Sequence, residues 1–273
     1  MIELIKCFDW SKHEVISVIG SGGKSNLIAY LANCFPDEKI LISTTTKVLL
    51  PEKEKYHILW LNPYCQDEKM MKGTNPADVM IAGDEFLMDG IEKLQMSKKV
   101  EFIQSFKQFD KVFLEADGSR GLPLKGWAEF EPVVLPETTM TIGVIPLSAI
   151  GKPATNNYIH RLSLWLKLIE EEECILVSSE NRHTERMVMA EGVKESLISK
   201  ENMIQLITHK KGLWKEAKGE KVLYISQVES QQQLKLAKEL VEDLPEDFKK
   251  KTGKIIAGSA KEGKGYILHC CRR

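Results

Sequence analysis

Nine short apolar runs, at residues 15–19, 40–43, 57–61, 79–82, 111–115, 141–145, 221–226, 254–258 and 266–269, punctuate this chain. Several are β-branched and continuously apolar rather than alternating, as strands covered on both faces are. Between them lie patterns of helical spacing. In 26–35, Leu27, Ile28, Leu31 and Phe35 share one face; in 230–244, Leu234, Ala237, Val241 and Leu244 do the same; 98–109 is a third candidate. Buried strands alternating with amphipathic helices predict an α/β layer fold with a mostly parallel sheet.

The stretch 156–218 departs from that alternation. It is rich in Glu, Leu, Met and Lys and reads as mainly helical, apart from a short apolar run at 174–178. The expected organisation is an α/β nucleotide-binding domain from 1–155 and 219–273, with 156–218 a mainly helical subdomain inserted before the last αβ elements.

Charge narrows the function classes. Lys and Arg number 38 against 39 Asp and Glu, a formal net charge of −1, so bulk charge gives no basis for nucleic-acid binding. No apolar run approaches the roughly 18–20 residues of a membrane span, and the opening MIELIKCFDW has no long apolar core of a secretory signal. The six cysteines form no CxxC pair, and only Cys270 and Cys271 cluster. Free thiols in a reducing cytoplasm are the expected state.

The first apolar run leads into GSGGKS, and the helix pattern follows at once. Strand, glycines, Lys-Ser and helix in that order read as a phosphate cradle. A helix N-terminus offers unpaired N–H groups and partial positive charge. Glycines allow positive φ and close backbone approach. Gly20, Ser21, Gly22 and Gly23 would form the loop, Lys24 would reach the terminal phosphates, and Ser25 would ligate Mg²⁺. The loop is two residues shorter than GxxxxGK[ST], a spacing that resembles the Mur-type ligases. These features predict a three-layer, P-loop NTPase-like fold.

Two further strand ends bear on the same chemistry. Thr44, Thr45, Thr46 and Lys47 follow the second run, where open α/β sheets bind ligands, and their hydroxyls suit Mg²⁺ (Thr45) or a γ-phosphate. The fifth run delivers Glu115 and Asp117, which period-two alternation would point to one side. Such a pair suits Mg²⁺, and one member suits the orientation of an attacking water. Arg120 and Lys125 follow in a glycine- and proline-containing loop, placed to neutralise a transferred phosphoryl group or to grip an anionic substrate. Lys24, Glu115, Asp117 and Arg120 are therefore the candidate catalytic residues. His160-Arg161 opens the helical segment as either a surface pair or a basic arm. Base recognition is weakly marked: Ser226 to Glu229 stands where GTPases carry NKxD, and Ser259 opens a Ser-Ala-Lys run like the one that follows it there. ATP and GTP both stay open.

GSGGKS, STTTK, LEADGSRGLPLK with a following EP, and GLWK ahead of a late strand together resemble the selenium-dependent hydroxylase accessory proteins of the YqeC type, over nearly the whole chain. The resemblance implies a nucleotide-dependent maturation factor for selenium-dependent molybdenum hydroxylases, with the client enzyme or its cofactor as partner. It implies site roles for the residues already named and adds Gly118 and Ser119 to the signature loop. Two positions depart from it: Phe130 stands where a histidine precedes Glu131-Pro132, and Ser226 and Glu229 stand where Asn and Asp are expected. Three functions remain open on these residues: a slow Mg²⁺-dependent NTPase acting as an accessory factor, a small-molecule kinase, nucleotidyltransferase or Mur-like ligase, and a nucleotide-switched carrier of a cofactor or selenium species.

Overall fold

The computed structural model describes residues 1–49, 56–61, 78–88, 91–96, 100–177 and 196–271. Its strands are β1 (Ile2–Glu3), β2 (Val15–Gly20), β3 (Ile40–Thr44), β4 (Val48–Leu49), β5 (Ile58–Leu61), β6 (Val79–Met88) and β7 (Ile91–Gln95). There follow β8 (Lys111–Glu115), β9 (Leu124–Lys125), β10 (Met140–Pro146), β11 (Ile159–His160), β12 (Glu220–Ser226), β13 (Lys254–Ser259) and β14 (Lys264–Cys270). The helices are α1 (Lys24–Ala32), α2 (Val100–Gln104), α3 (Leu162–Val177), α4 (Lys200–Thr208), α5 (Gln231–Glu242) and α6 (Glu246–Lys251).

The protein is α/β with a mostly parallel sheet. Strands run in the order β1-β14-β13-β12-β10-β2-β8-β3-β6-β7-β4, with β5 also on β6. From β13 to β6 every pairing is parallel, while β14, β7 and the two-residue strands β1 and β4 join antiparallel. Each of the nine apolar runs lies on one of these strands. The run at 79–82 is only the start of β6, whose second half pairs with β7 as a ribbon.

Alternate residues of the central strands feed opposite cores. Ile16, Val18, Ile40, Ile42, Phe113 and Tyr224 pack with Leu27, Ile28 and Leu31 of α1. On the other face, Leu223, Ile225, Ile255 and Ala257 pack with Leu234, Ala237 and Val241 of α5, and Leu41, Val112 and Leu114 with Phe102 of α2 and Phe106. Both sheet faces are thus covered, which is why the runs carry so few polar residues. Trp165 and Leu168 of α3 and Met203 and Leu206 of α4 belong to the same cluster as α5. The helices of 156–218 therefore share one continuous core with the sheet.

The short run at 174–178 differs from its reading as an exception to the helical pattern. Residues 174–177 complete α3, and Ser178 lies outside the described residues. A short apolar run cannot by itself separate strand from buried helix, and here the helix begun at Leu162 carries through it. The 98–109 pattern is split: α2 covers Val100–Gln104 and a 3-10 turn covers Ser105–Gln108, with 98 and 99 outside the described residues. Cys7, Cys34, Cys270 and Cys271 are free thiols, and Cys65 lies outside the described residues.

Candidate functional site

The strand order reverses direction around β2. The chain leaves β2 toward β3 on the β8 side, then returns through β10 to β12 and β13 on the other. Ligands of open α/β sheets bind beyond the carboxyl ends of the strands at such a reversal. The predicted residues gather at those ends: Gly20 on β2, Thr44 on β3, Glu115 on β8, Ser226 on β12 and Ser259 on β13.

The loop between β2 and α1 needs its glycines. Gly20 has φ +96°, and a Cβ there would stand 2.1 Å from the Val144 carbonyl oxygen. Gly22 has φ +71°, and its Cβ would meet the Pro146 ring at 2.3 Å. Gly23, φ +133°, is the N-cap of α1 and gives it no side-chain cap. α4 and α5, by contrast, are closed by capping boxes from Ser199 with Asn202 and from Ser230 with Gln233. The first-turn N–H groups of α1 are thus left without the side-chain acceptor that finishes those helices, which is the arrangement that favours an anion.

Three strands pin this loop. From β10, Val144 accepts the Ser21 N–H at 3.0 Å. From β12, the Ser226 hydroxyl donates to the Gly22 carbonyl at 2.7 Å, and Gln227 Nε2 donates to the same oxygen at 3.2 Å. From the end of β8, Asp117 accepts the Gly20 N–H at 3.1 and 3.0 Å through its two oxygens.

Lys24 is buried with its ammonium aimed back at the loop. Nζ donates to the Gly20 carbonyl at 2.7 Å and lies 3.2 Å from Asp117 Oδ1 and 3.6 Å from Glu115 Oε1. Burial works against its charge, but the Asp117 and Glu115 carboxylates outweigh it and hold the Lys24 pKa above the ordinary lysine value. The Ser25 hydroxyl donates to Glu115 Oε2 at 2.8 Å. Glu115 and Asp117 therefore share one cation, although β8 ends at Glu115.

The two carboxylates have different surroundings. Asp117 is fully buried. Trp127 Nε1 donates to it at 2.8 Å, and Lys125 Nζ lies 3.4 Å away. Burial alone would raise its pKa; Lys24, Lys125, the Gly20 N–H and Trp127 together hold it below the ordinary aspartate value. Such a carboxylate is a weak base with its oxygens already engaged, so it anchors the loop. Glu115 is 15% exposed and has Ser25 beside it, so of the two carboxylates it is the one open to solvent.

Lys125 is fully buried and does not line the mouth of the site. It donates to the Gly118 carbonyl at 2.6 Å and to Glu131 Oε2 at 2.7 Å. Arg161, the residue after β11, grips Glu131 with both terminal nitrogens, NH2 to Oε1 at 3.2 Å. Burial would raise the Glu131 pKa, but Arg161 and Lys125 hold it below its ordinary value. Burial is also the largest influence on His160, and with Arg161, Lys125 and Arg120 it lowers the imidazole to about 4. Arg120 is exposed, with φ +53°.

The threonine loop docks on the end of β8. Thr45 N–H donates to the Glu115 carbonyl at 3.0 Å, and Thr44 Oγ1 lies 2.9 Å from the carbonyl oxygens of Glu115 and Thr46. The Thr45 hydroxyl donates to the Val133 carbonyl at 2.6 Å, so it would exchange that partner to reach a cation. Lys47 is exposed, and the Gly118 Cβ position faces its carbonyl oxygen at 3.8 Å. Ser259 donates to Glu229 at 2.9 Å, which joins the two segments with base-recognition character. Gln227, φ +62°, sits on the β2–α1 glycine loop rather than apart from it.

Sequence reasoning misses Trp127 and Glu131. Both lie in the block that starts at Glu115, and the EP pair was a visible signal for Glu131. Trp127 carries no local signal, since a tryptophan after glycine reads as core.

A family model described as YqeC protein matches residues 16–163, from β2 to the start of α3. An "Uncharacterized protein YqeC" of Escherichia coli (strain K12) is 28% identical over 154 residues, which is 55% of this chain and 58% of that protein. The match thus spans little more than half of that relative's length. No solved structure matches. The matched segment holds the β2–α1 glycine loop, the threonine loop, the acidic end of β8 and Arg161, and on that extent the chain belongs to the YqeC family.

Proposed function

We propose that this protein binds a nucleoside triphosphate with Mg²⁺ in a P-loop NTPase-like fold and hydrolyses it slowly. The observation that carries the reading is the meeting of Ser25 and Glu115 at 2.8 Å beside Lys24, at the uncapped N-terminus of α1. The α1 N–H groups and Lys24 would hold the phosphates, at about 0.3–1 kcal/mol for a charge at an exposed helix end and more when partly buried. Among the described residues no three His, Cys, Asp or Glu side chains gather as a metal cage. That donor set fits Mg²⁺ bound by a hydroxyl, one carboxylate, water and phosphate oxygens rather than by protein alone. The ion would neutralise charge developing on the phosphoryl oxygens. Glu115 would orient the attacking water, and Asp117 would keep the loop in place through the Gly20 amide.

The role we assign to this activity is that of an accessory factor in the cytoplasm, maturing a selenium-dependent molybdenum hydroxylase. The support is the motif resemblance across the signature block. Titration calorimetry with ATP and GTP, each with and without Mg²⁺, tests the nucleotide reading, and Lys24→Ala should remove binding. Unchanged affinity in a folded Lys24→Ala protein rejects it.

A second reading, a phosphoryl or nucleotidyl transferase or a ligase with an anionic acceptor, is favoured by exposed Arg120, three residues beyond Asp117 in the chain. Stimulation of nucleotide turnover by a small anion, lost in Arg120→Ala, would select it over a protein client.

A further inference from the structure

Lys24, Asp117, Lys125, Glu131 and Arg161 form an unbroken line of alternating charge. The gaps are 3.2 Å from Lys24 to Asp117, 3.4 Å from Asp117 to Lys125 and 2.7 Å from Lys125 to Glu131, and Arg161 closes the line on Glu131. The side chains of Asp117 and Lys125 are 0% exposed, those of Lys24 and Glu131 3% and 4%, and that of Arg161 26%. The line thus starts at the phosphate loop, crosses the interior and ends at the first residue before α3. We infer that it couples occupancy of the phosphate loop to the entry of α3, so that the helices of 156–218 respond to what the loop holds. The inference rests on the nucleotide reading for what drives it, but the line itself is independent of that reading.

The physical reason lies in unequal sharing. Asp117 is held by two ammonium groups, and Lys125 is held by two carboxylates, closer to Glu131 than to Asp117. In a low-dielectric interior each such contact depends strongly on its neighbours. A phosphate oxygen in the loop competes with Asp117 for the Lys24 ammonium. As Lys24 turns to it, Asp117 keeps only Lys125 as a cationic partner and draws it in. Lys125 then loosens from Glu131, and Glu131 is left to Arg161. Each step exchanges one ionic partner for another, so two arrangements exist without leaving a buried charge alone, the costly alternative. A ligand that favours one arrangement shifts the balance between them.

The backbone supplies the mechanical link. β9, which carries Lys125, pairs with β11, which ends one residue before Arg161. Gly126 N–H donates to the His160 carbonyl at 2.9 Å, and the Leu164 and Trp165 amides donate to the Arg161 carbonyl at 3.0 and 3.2 Å. A Cβ on Gly126 would stand 2.5 Å from the Trp165 nitrogen, so the segment carrying Lys125 packs directly on the first turn of α3. Arg161 has φ +57°, a left-handed value at which a non-glycine residue is held only by its surroundings. A shift of Lys125 between its two carboxylates thus acts on the hinge residue and on the first helical turn together. Lys125, Glu131 and Arg161 are positioning residues in this scheme, with no contact to substrate.

Amide hydrogen exchange on the full chain tests it. Lys24→Met (or Lys24→Gln should the first not fold) removes the ammonium from Asp117 with no nucleotide involved. Exchange at residues 160–166 should change at least threefold, while α5 stays as in the wild type. In the double variant with Glu131→Gln the Lys24 substitution should have no further effect at 160–166; Arg161→Gln replaces Glu131→Gln if that variant does not fold. Saturating Mg·ATP or Mg·GTP on the wild type should move the same amides. Changes confined to the loop and to residues 115–118 in the Lys24 variant overturn the inference. Nucleotide that binds by calorimetry yet leaves 160–166 unmoved also overturns it, with the nucleotide reading intact. If neither nucleotide binds, that reading falls, and the Lys24 variants still decide the line.

Discussion

The Ser25 hydroxyl donates to Glu115 Oε2 at 2.8 Å, which ties the first turn of α1 to the carboxyl end of β8 across 90 residues of sequence. Two oxygen ligands at that spacing can share one hard cation without moving the backbone. Ser25→Ala should therefore weaken Mg²⁺-dependent nucleotide binding by roughly tenfold, about 1.4 kcal/mol. Binding in the absence of Mg²⁺ should be little changed. Calorimetry with and without the ion separates the two effects.

Asp117→Asn should be far more damaging to stability than to any single contact. It leaves Lys24 and Lys125, both buried, facing a neutral amide. Removing one member of a buried charge group costs about 3–5 kcal/mol. Urea unfolding of the variant against the wild type measures it. A loss no larger than that of a surface substitution would contradict the anchoring role.

The acid limb of stability should carry the same signature. The Asp117 and Glu131 carboxyls are both held below their ordinary values of 3.8 and 4.5. A lowered folded pKa contributes stability that is complete above the unfolded value and is lost as pH falls through the folded one. The wild type should thus lose stability steeply below about pH 4, and Asp117→Asn should show a shallower slope there.

His160 acts at a higher pH and with the same sign. Its imidazole is lowered from 6.5 to about 4, first by burial and then by Arg161, Lys125 and Arg120. Between those values the unfolded chain binds a proton that the folded chain refuses, so stability falls as pH drops from 6.5 toward 4. His160→Gln should flatten the profile in that window. An NMR titration giving His160 an ordinary midpoint would contradict it.

Two glycines with nearly equal φ should respond differently to alanine. Gly22 (φ +71°) would drive its Cβ into the Pro146 ring, whereas Gly121 (φ +74°) has nothing within 4 Å of that position. Gly121→Ala carries only the left-handed backbone cost, about 1–2 kcal/mol. Gly22→Ala adds a clash with a rigid ring and should cost clearly more, read by thermal or urea unfolding.

The sheet is legible in the sequence because burial on both faces leaves few polar residues inside a central strand. The 221–226 run, for example, is bracketed by Glu220 and Gln227 and coincides with β12 to within one residue. Legibility fails where pairing is antiparallel and exposed: Asp84 and Glu85 end the apolar run of β6 but not the strand. At the site, strand, glycines and Lys-Ser mark the loop through local geometry alone. Lys125 is the opposite case. It reads as a base offered to a phosphoryl group or an anionic substrate in a glycine- and proline-containing loop, yet it is fully buried, with Glu131 and Asp117 as carboxylate partners that only the folded loop brings to it. Composition can mark a charge, but its partners come from tertiary structure.

The bond between Gly20 and Asp117 is made by a backbone amide on one side and a side chain on the other. Mutational risk is therefore lopsided. At position 20 the donor survives every replacement except proline, and glycine is demanded there by the turn, the Val144 carbonyl and the Leu213 side chain. At position 117 the acceptor is the residue itself. Replacements on the loop's outer surface thus leave this bond standing, while the bond rests on one side chain alone, that of Asp117, which never meets solvent.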